Sequence, residues 1–200
     1  MKELVFATNN KHKLSEVQAL LGNAFRLLSL RDIGCNDDIP EDKFSLEENA
    51  SQKAFYIYNK YSVDCFADDT GLEIAALNGR PGVFSARYAN DMLADNPSLT
   101  IAEANMRKVL AEMHGQKNRQ ARFRCIISLI LQGKETQFEG CINGYITTER
   151  QGTEGFGYDP VFLPDGHDLT FAQMSLQEKN RISHRALAFA KLKRYLAEKY

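Results

Sequence analysis

Cysteine is scarce in this chain of 200 residues, and its four copies, Cys35, Cys65, Cys125 and Cys141, never form a CxxC pair. Zinc sites bring their ligands in close pairs and small secreted scaffolds are cysteine-dense, so neither plan fits. All four are read as reduced thiols, with Cys65 and Cys125 packed inside apolar runs. An excess of charge of either sign is missing as well. Twenty-five Lys+Arg stand against 26 Asp+Glu, for a formal net charge of -1, whereas a general nucleic-acid binder carries a basic excess. No apolar stretch approaches the length of a membrane span. The run Leu4-Val5-Phe6-Ala7 is too short for the apolar region of a signal peptide. Neither a nucleic-acid polymer nor a membrane is an expected partner, and the expected compartment is the cytoplasm. Internal repeats, low-complexity segments and breaks in composition are also lacking.

What remains is an ordinary globular composition, 44% hydrophobic and 26% charged, in a chain long enough to bury a core without staples. One domain over residues 1–200 is expected. Glu3 to Thr8 reads as a buried strand. Lys11 to Leu21 reads as an amphipathic helix with Leu14, Val17, Leu20 and Leu21 at helical spacing, stopped by Gly22. Phe25 to Leu30 reads as a second strand, and 31–43 as a loop. A helix starts at Ser45, whose spacing to Glu48 is that of a capping box, and runs to about Tyr61. Asp64 to Ala67 reads as a strand that ends at Asp68-Asp69-Thr70-Gly71, and Leu72 to Leu77 as another. A helix from Pro97 to Met113 follows. Strands from Arg122 to Leu131 and Glu135 to Ile146 form a hairpin, and 152–164 is a Gly/Pro-rich loop. A helix from Ser175 and another from Arg185, with Leu187, Phe189, Ala190 and Leu192 on its apolar side, close the chain. This order implies an α/β fold with a mixed β-sheet flanked by helices.

Four segments carry residues suited to chemistry. Thr8-Asn9-Asn10-Lys11-His12-Lys13 joins the first strand to the first helix. A helix N-terminus attracts phosphate through open N–H groups and its dipole, and Lys13 adds a charge. The glycines of a Walker loop are absent, so any phosphate site here works differently. Alone, the segment fits a capped helix with solvated lysines equally well. Asp68-Asp69-Thr70-Gly71 sets two carboxylates side by side, suited to magnesium and to activating a water, or else to an ordinary polar turn. Gly155-Phe156-Gly157-Tyr158-Asp159-Pro160 lets backbone approach a flat ligand on which the rings can stack. Glu178-Lys179 and Ser183-His184-Arg185 supply donors at a helix junction, where a solvated turn is the plainer reading. His12, His114 and His167 are read as surface or structural residues, and Arg119, Arg122 and Arg124 as one solvated strand face.

Taken together, these segments resemble the inosine/xanthosine triphosphate pyrophosphatases, the Ham1-like or RdgB-like family. The resemblance also uses Glu48-Asn49-Ala50 with Lys53-Ala54, and Pro81-Gly82-Val83-Phe84-Ser85-Ala86-Arg87-Tyr88, all in the family's order. It implies a fold of two lobes with a central cleft. It also implies hydrolysis of ITP, dITP and XTP between the α and β phosphates, with release of the monophosphate and pyrophosphate. By the same resemblance Asp69 activates the water and binds Mg2+ together with Glu41. Thr8, Asn9, Asn10, Lys13 and Thr70 hold phosphates, Phe156, Gly157, Tyr158 and Asp159 line the base pocket, and Lys179, His184 and Arg185 close it. A homodimer is implied too. Asn9 stands where many relatives have glycine and Thr70 where many have serine. The rival readings are a Maf-like pyrophosphatase with another base preference and a nucleotide sensor without turnover.

Overall fold

A computed structural model describes residues 2–22, 25–93 and 98–199. The elements run β1 (Lys2–Phe6), α1 (Lys11–Leu21), β2 (Phe25–Leu28), α2 (Leu46–Tyr61), β3 (Cys65–Ile74), β4 (Pro81–Gly82), α3 (Asn90–Leu93), α4 (Ile101–Glu112), β5 (Gln120–Leu131), β6 (Lys134–Ile146), β7 (Phe162–Pro164), α5 (Leu176–Ile182) and α6 (His184–Lys199). The strands form one mixed sheet in the order β2-β1-β3-β5-β6-β7, with β4 on β3. β1 runs parallel to both β2 and β3, while β4 pairs antiparallel with β3, and β7 antiparallel with β6. Among the described residues no helix is long and apolar enough to cross a membrane.

The chain falls into two compact units. The first comprises Met1–Asp69, Cys125–Gly140 and Ser183–Tyr200, and the second Thr70–Arg124 and Cys141–Ile182. In the first, strand alternation sorts the side chains. Leu4 and Phe6 of β1, Phe66 of β3 and Ile127 and Leu129 of β5 enter one core with Val17 and Leu21 of α1 and Phe189, Leu192 and Leu196 of α6. Phe6 and Phe66 stack there at 4.5 Å between ring centroids. Val5, Ala7, Cys65, Ala67 and Ile130 enter another core with Ala54 and Ile57 of α2. The second unit packs Leu72, Ile74, Phe123, Ile146, Phe162 and Phe171 against Met106 and Val109 of α4 and Met113 at its C-terminal cap.

Helix ends follow their caps. Ser45 Oγ accepts the Glu48 N–H at 3.2 Å, and Ser175 with Glu178 completes a reciprocal capping box. Thr100 caps α4 by accepting the Glu103 N–H, so this helix begins at Ile101; Pro97, its expected start, lies outside the described residues. Several expectations are corrected. β3 is a single strand through Asp68-Asp69-Thr70-Gly71 rather than two strands about a turn, because the carboxylates find buried partners and do not need solvent. β2 stops at Leu28. The loop over 152–164 contains β7. On α6, Leu187 and Ala190 face outward, and the buried apolar side consists of Ala186, Ala188, Phe189, Leu192 and Leu196. Arg119 is not part of a solvated face: it donates to the carbonyls of Met113, Ile146 and Thr147, and Arg122 and Arg124 both pair with Glu73. Cys35, Cys65 and Cys125 are buried and outside any disulfide, and burial pushes Cys65 up to about 12.

Candidate active site

The first unit gathers most of the charged candidates around β3. Where β1 ends, Thr8 Oγ1 accepts the Asn10 N–H at 3.2 Å. Asn10 Oδ1 in turn caps α1 by accepting from the N–H groups of His12 (2.9 Å) and Lys13 (3.2 Å). Asn9 beside them is exposed. This cap fixes Lys13 in the first helical turn, with its ammonium 2.8 Å from Asp68 Oδ1. Behind Asp68 stands Arg185, 2% exposed, its Nε 3.7 Å from Asp68 Oδ2 and its NH1 bonded to Glu16 of α1. His184 beside it is buried as well. Burial opposes the charge on Asp68, but Lys13, Arg185 and Lys53 outweigh it and hold its carboxyl down at about 2.

Asp69 meets a different set. Its Oδ1 lies 3.3 Å from Lys53 Nζ, and its Oδ2 accepts from Asn49 Nδ2 at 3.3 Å, both side chains coming from α2. Lys53 Nζ also contacts Glu41 Oε1 at 2.6 Å, so one ammonium joins the loop carboxylate to the strand carboxylate. Asn49 Oδ1 accepts the Lys43 N–H at 3.0 Å, which ties the same loop to α2. Burial pushes Asp69 above the ordinary carboxylate value; Lys53 and Lys13 oppose that push, and Glu41 and Asp68 reinforce it. Burial works against the charge of Lys53, yet Asp69 and Glu41 raise it above the ordinary lysine value.

The donor set fits a hard divalent cation. Glu41 and Asp69 bring carboxylate oxygens together at one cationic point, and magnesium is usually held by one or two carboxylates with waters and substrate oxygens completing its shell. Among the described residues no group of three or more His, Cys, Asp or Glu forms a full metal cage, so the remaining ligands would come from solvent and phosphate.

The second unit contains the other candidates. Thr70, half-buried, follows Asp69 along β3. Asp159 accepts from the Phe156 N–H and from Lys179 Nζ, each at 2.8 Å. The same ammonium lies 5.0 Å from the centre of the half-buried Phe156 ring. Gly155 has φ +74°, and a Cβ there would stand 2.1 Å from Asp159 Oδ2; at Gly157 the space beside the backbone is open. Tyr158 is 5% exposed and donates its hydroxyl to Ser85 O at 2.9 Å, so it anchors the loop to the core. Burial, with Tyr88 and Glu112 nearby, raises its phenol above the ordinary value.

Sequence reasoning gave no role to Lys53, Asn49 or Glu16. The signal for the first two was present: α2 carries a lysine and an asparagine on the face defined by Ala50, Ala54 and Ile57, where a charge is retained only with a partner.

The Ham1 family model matches residues 4–195. A dITP/XTP pyrophosphatase of Christiangramia forsetii is 48% identical, covering 98% of this chain and 100% of its own. A second, of Flavobacterium psychrophilum, is 50% identical over 93% of this chain and 94% of its own. The solved structure of the Ham1 protein of Staphylococcus aureus covers 100% of both chains at 34% identity, with a TM-score of 0.87. With a full-length match in sequence and in fold, the chain belongs to the Ham1 family.

Proposed function

We propose that this protein hydrolyses deaminated purine nucleoside triphosphates, dITP, ITP and XTP, to the monophosphate and pyrophosphate. The observation that carries this reading is that relatives named dITP/XTP pyrophosphatase align end to end with this chain at nearly half identity. The site geometry supports it. Asp69, with its proton affinity raised by burial, orients a water and accepts its proton as the oxygen attacks the α phosphorus. The bond from that phosphorus to the bridging oxygen of the β phosphate breaks, and pyrophosphate leaves with the electron pair. Lys13 and Lys53 bring positive charge to the phosphate oxygens. Thr8, Asn9 and Asn10 at the start of α1, with Thr70, complete the phosphate contacts. Glu41 and Asp69 would hold a magnesium ion, which when bound neutralises phosphate charge and makes a coordinated water more acidic.

Base recognition falls to the loop over 155–160. Phe156 offers a ring for stacking, and the open space at Gly157 lets backbone come close to a base edge. Asp159 and Lys179, buried against each other, hold that loop in shape, and Tyr158 fastens it. A donor facing purine position 6 is satisfied by the carbonyl of hypoxanthine or xanthine. Adenine, with an amino group there, leaves it unpaired at a cost of about 1–3 kcal/mol. The proposal extends to a homodimer acting in the cytoplasm, and light scattering checks the assembly.

The test is a pyrophosphate-release assay with magnesium that compares ITP, dITP and XTP with ATP and GTP. Preference for the first three with monophosphate as co-product is expected. Equal turnover of all five would remove the base selectivity, and release of orthophosphate instead would remove the reaction.

A further inference from the structure

Of the two carboxylates proposed to hold magnesium, Asp69 stands on β3, whereas Glu41 stands on a segment, 35–43, that belongs to no strand or helix. This segment nevertheless alternates like a strand. Cys35, Asp37, Ile39 and Glu41 are buried or half-buried, while Asn36, Asp38, Pro40 and Asp42 are exposed. Cys35 and Ile39 pack into the core that holds Ala54 and Ile57 of α2. The two acids of the same face meet α2 as well. Asp37 Oδ2 accepts the Tyr56 hydroxyl at 2.9 Å and pairs with Lys60, with Cys35 Sγ 3.7 Å from the same oxygen. Glu41 lies 2.6 Å from Lys53, and the Lys43 N–H donates to Asn49 at 3.0 Å. Residues 37, 41 and 43 thus meet progressively earlier positions of α2, so the segment lies along the helix as an antiparallel strap. The spacings match. Lys53 and Lys60 are two helical turns apart, ~10.5 Å, and four extended residues from Asp37 to Glu41 span about 13 Å.

We propose that Asp37 is a positioning residue for Glu41: its latch on Tyr56 and Lys60 keeps the loop carboxylate beside Lys53 and Asp69 before an ion arrives. The assignment rests on the reading that Glu41 holds the metal. A segment without ladder hydrogen bonds has backbone freedom to lose, and a ligand on a loose segment would lose it only when the ion binds, at the expense of affinity. Pinned by Asp37 on one side and by the Lys43 N–H on the other, Glu41 is ordered by folding instead. Asp37 itself does not touch the ion; it acts through the carboxylate four residues on, as the outer partners of a metal site do.

Manganese(II), a hard cation suited to the same oxygen ligands, tests this without nucleotide. It is titrated into the full chain, and the free ion is counted by its paramagnetic resonance signal. The proteins are the wild type, Asp37→Ala, Tyr56→Phe, Glu41→Gln and the Asp37→Ala/Glu41→Gln double variant. Urea midpoints and the magnesium concentration that half-activates ITP hydrolysis are measured alongside. Asp37→Ala is expected to weaken manganese binding by about tenfold. It should raise the half-activating magnesium by a similar factor and leave kcat at saturating magnesium unchanged. Tyr56→Phe removes one hydroxyl and is expected to weaken binding about threefold; it decides the matter if Asp37→Ala fails to fold. In the Glu41→Gln background, Asp37→Ala is expected to have no further effect, the non-additivity of residues acting through one group. A lower urea midpoint with intact manganese binding would give Asp37 a structural part only and overturn the inference. Full additivity in the double variant, or a wild type that binds no manganese, would overturn it too. Undiminished binding in Glu41→Gln removes Glu41 from the metal site and the inference with it. A wild type that binds manganese but turns over no nucleotide refutes the proposed hydrolysis alone, since the binding series still decides the role of Asp37.

Discussion

Asp68 and Asp69 are neighbours in sequence whose carboxylates serve opposite faces of one strand: Asp68 meets α1 and α6, and Asp69 meets α2 and the loop carrying Glu41. Successive side chains of a strand point to opposite faces, so the pair divides between an anchor for Lys13 and Arg185 and, in the proposed reaction, the group that accepts the proton of water.

The division predicts opposite phenotypes. Asp69→Asn is expected to fold normally and to lose turnover by ~10²–10⁴-fold, as when a general base is removed. Asp68→Asn leaves Lys13 and Arg185 facing one fewer carboxylate and is expected to lose about 3–5 kcal/mol of stability. Urea titration and pyrophosphate release on both variants separate the two; normal turnover in Asp69→Asn would remove that residue from the reaction.

Acid sensitivity follows from the same carboxylate. Asp68 is held down at about 2 in the folded chain, below its unfolded value near 3.8. Its contribution is therefore fully present above about pH 4 and is lost as the pH falls towards 2. The amount is roughly 2 kcal/mol. Urea midpoints between pH 5 and pH 2 should fall more steeply for the wild type than for Asp68→Asn, and parallel curves would contradict this account.

Two glycines of one loop should differ in their tolerance of a methyl group. Gly157→Ala meets open space and bears only the cost of a left-handed backbone, about 1–2 kcal/mol. Gly155→Ala bears the same cost and in addition drives a Cβ into Asp159, which holds both Lys179 and the Phe156 N–H. Thermal melts should rank Gly155→Ala as the less stable, and its ITP-to-ATP selectivity should fall with the displaced loop.

Chelation is expected to abolish turnover without lowering the melting temperature, and added magnesium to restore it. Lys53 already bonds both Glu41 and Asp69 within the fold, so the ammonium holds these two side chains in place without the ion. A melting temperature that drops with chelator would give the ion a structural part.

Local signals in the sequence carried far. Periodicity and caps located α1, α2 and the hairpin of β5 and β6, because spacing and the hydrogen bonds of a helix end are local properties. The continuous β3 was not legible, since Asp68, Asp69, Thr70 and Gly71 have turn propensities and only their partners on other elements make an extended, buried path favourable. Lys53 and Glu16 were missed for the same reason. Each occupies a helical position, and its role depends on a residue 12 to 169 positions away in the chain. The outward-facing Leu187 shows the converse limit, as an apolar side chain alone does not fix which arc of a helix is covered.

The core that joins Leu4 and Phe6 to Phe189, Leu192 and Leu196 has a consequence for synthesis. β1 precedes α6 in the chain with every other element between them, so the ribosome delivers the strand well before its covering helix exists. Until then Phe6 and Phe66 face water as a sticky surface, a state in which chaperones bind and proteases cut. A premature stop codon near residue 180 would therefore reach far from its own position: it would leave β1 without the helix that buries it.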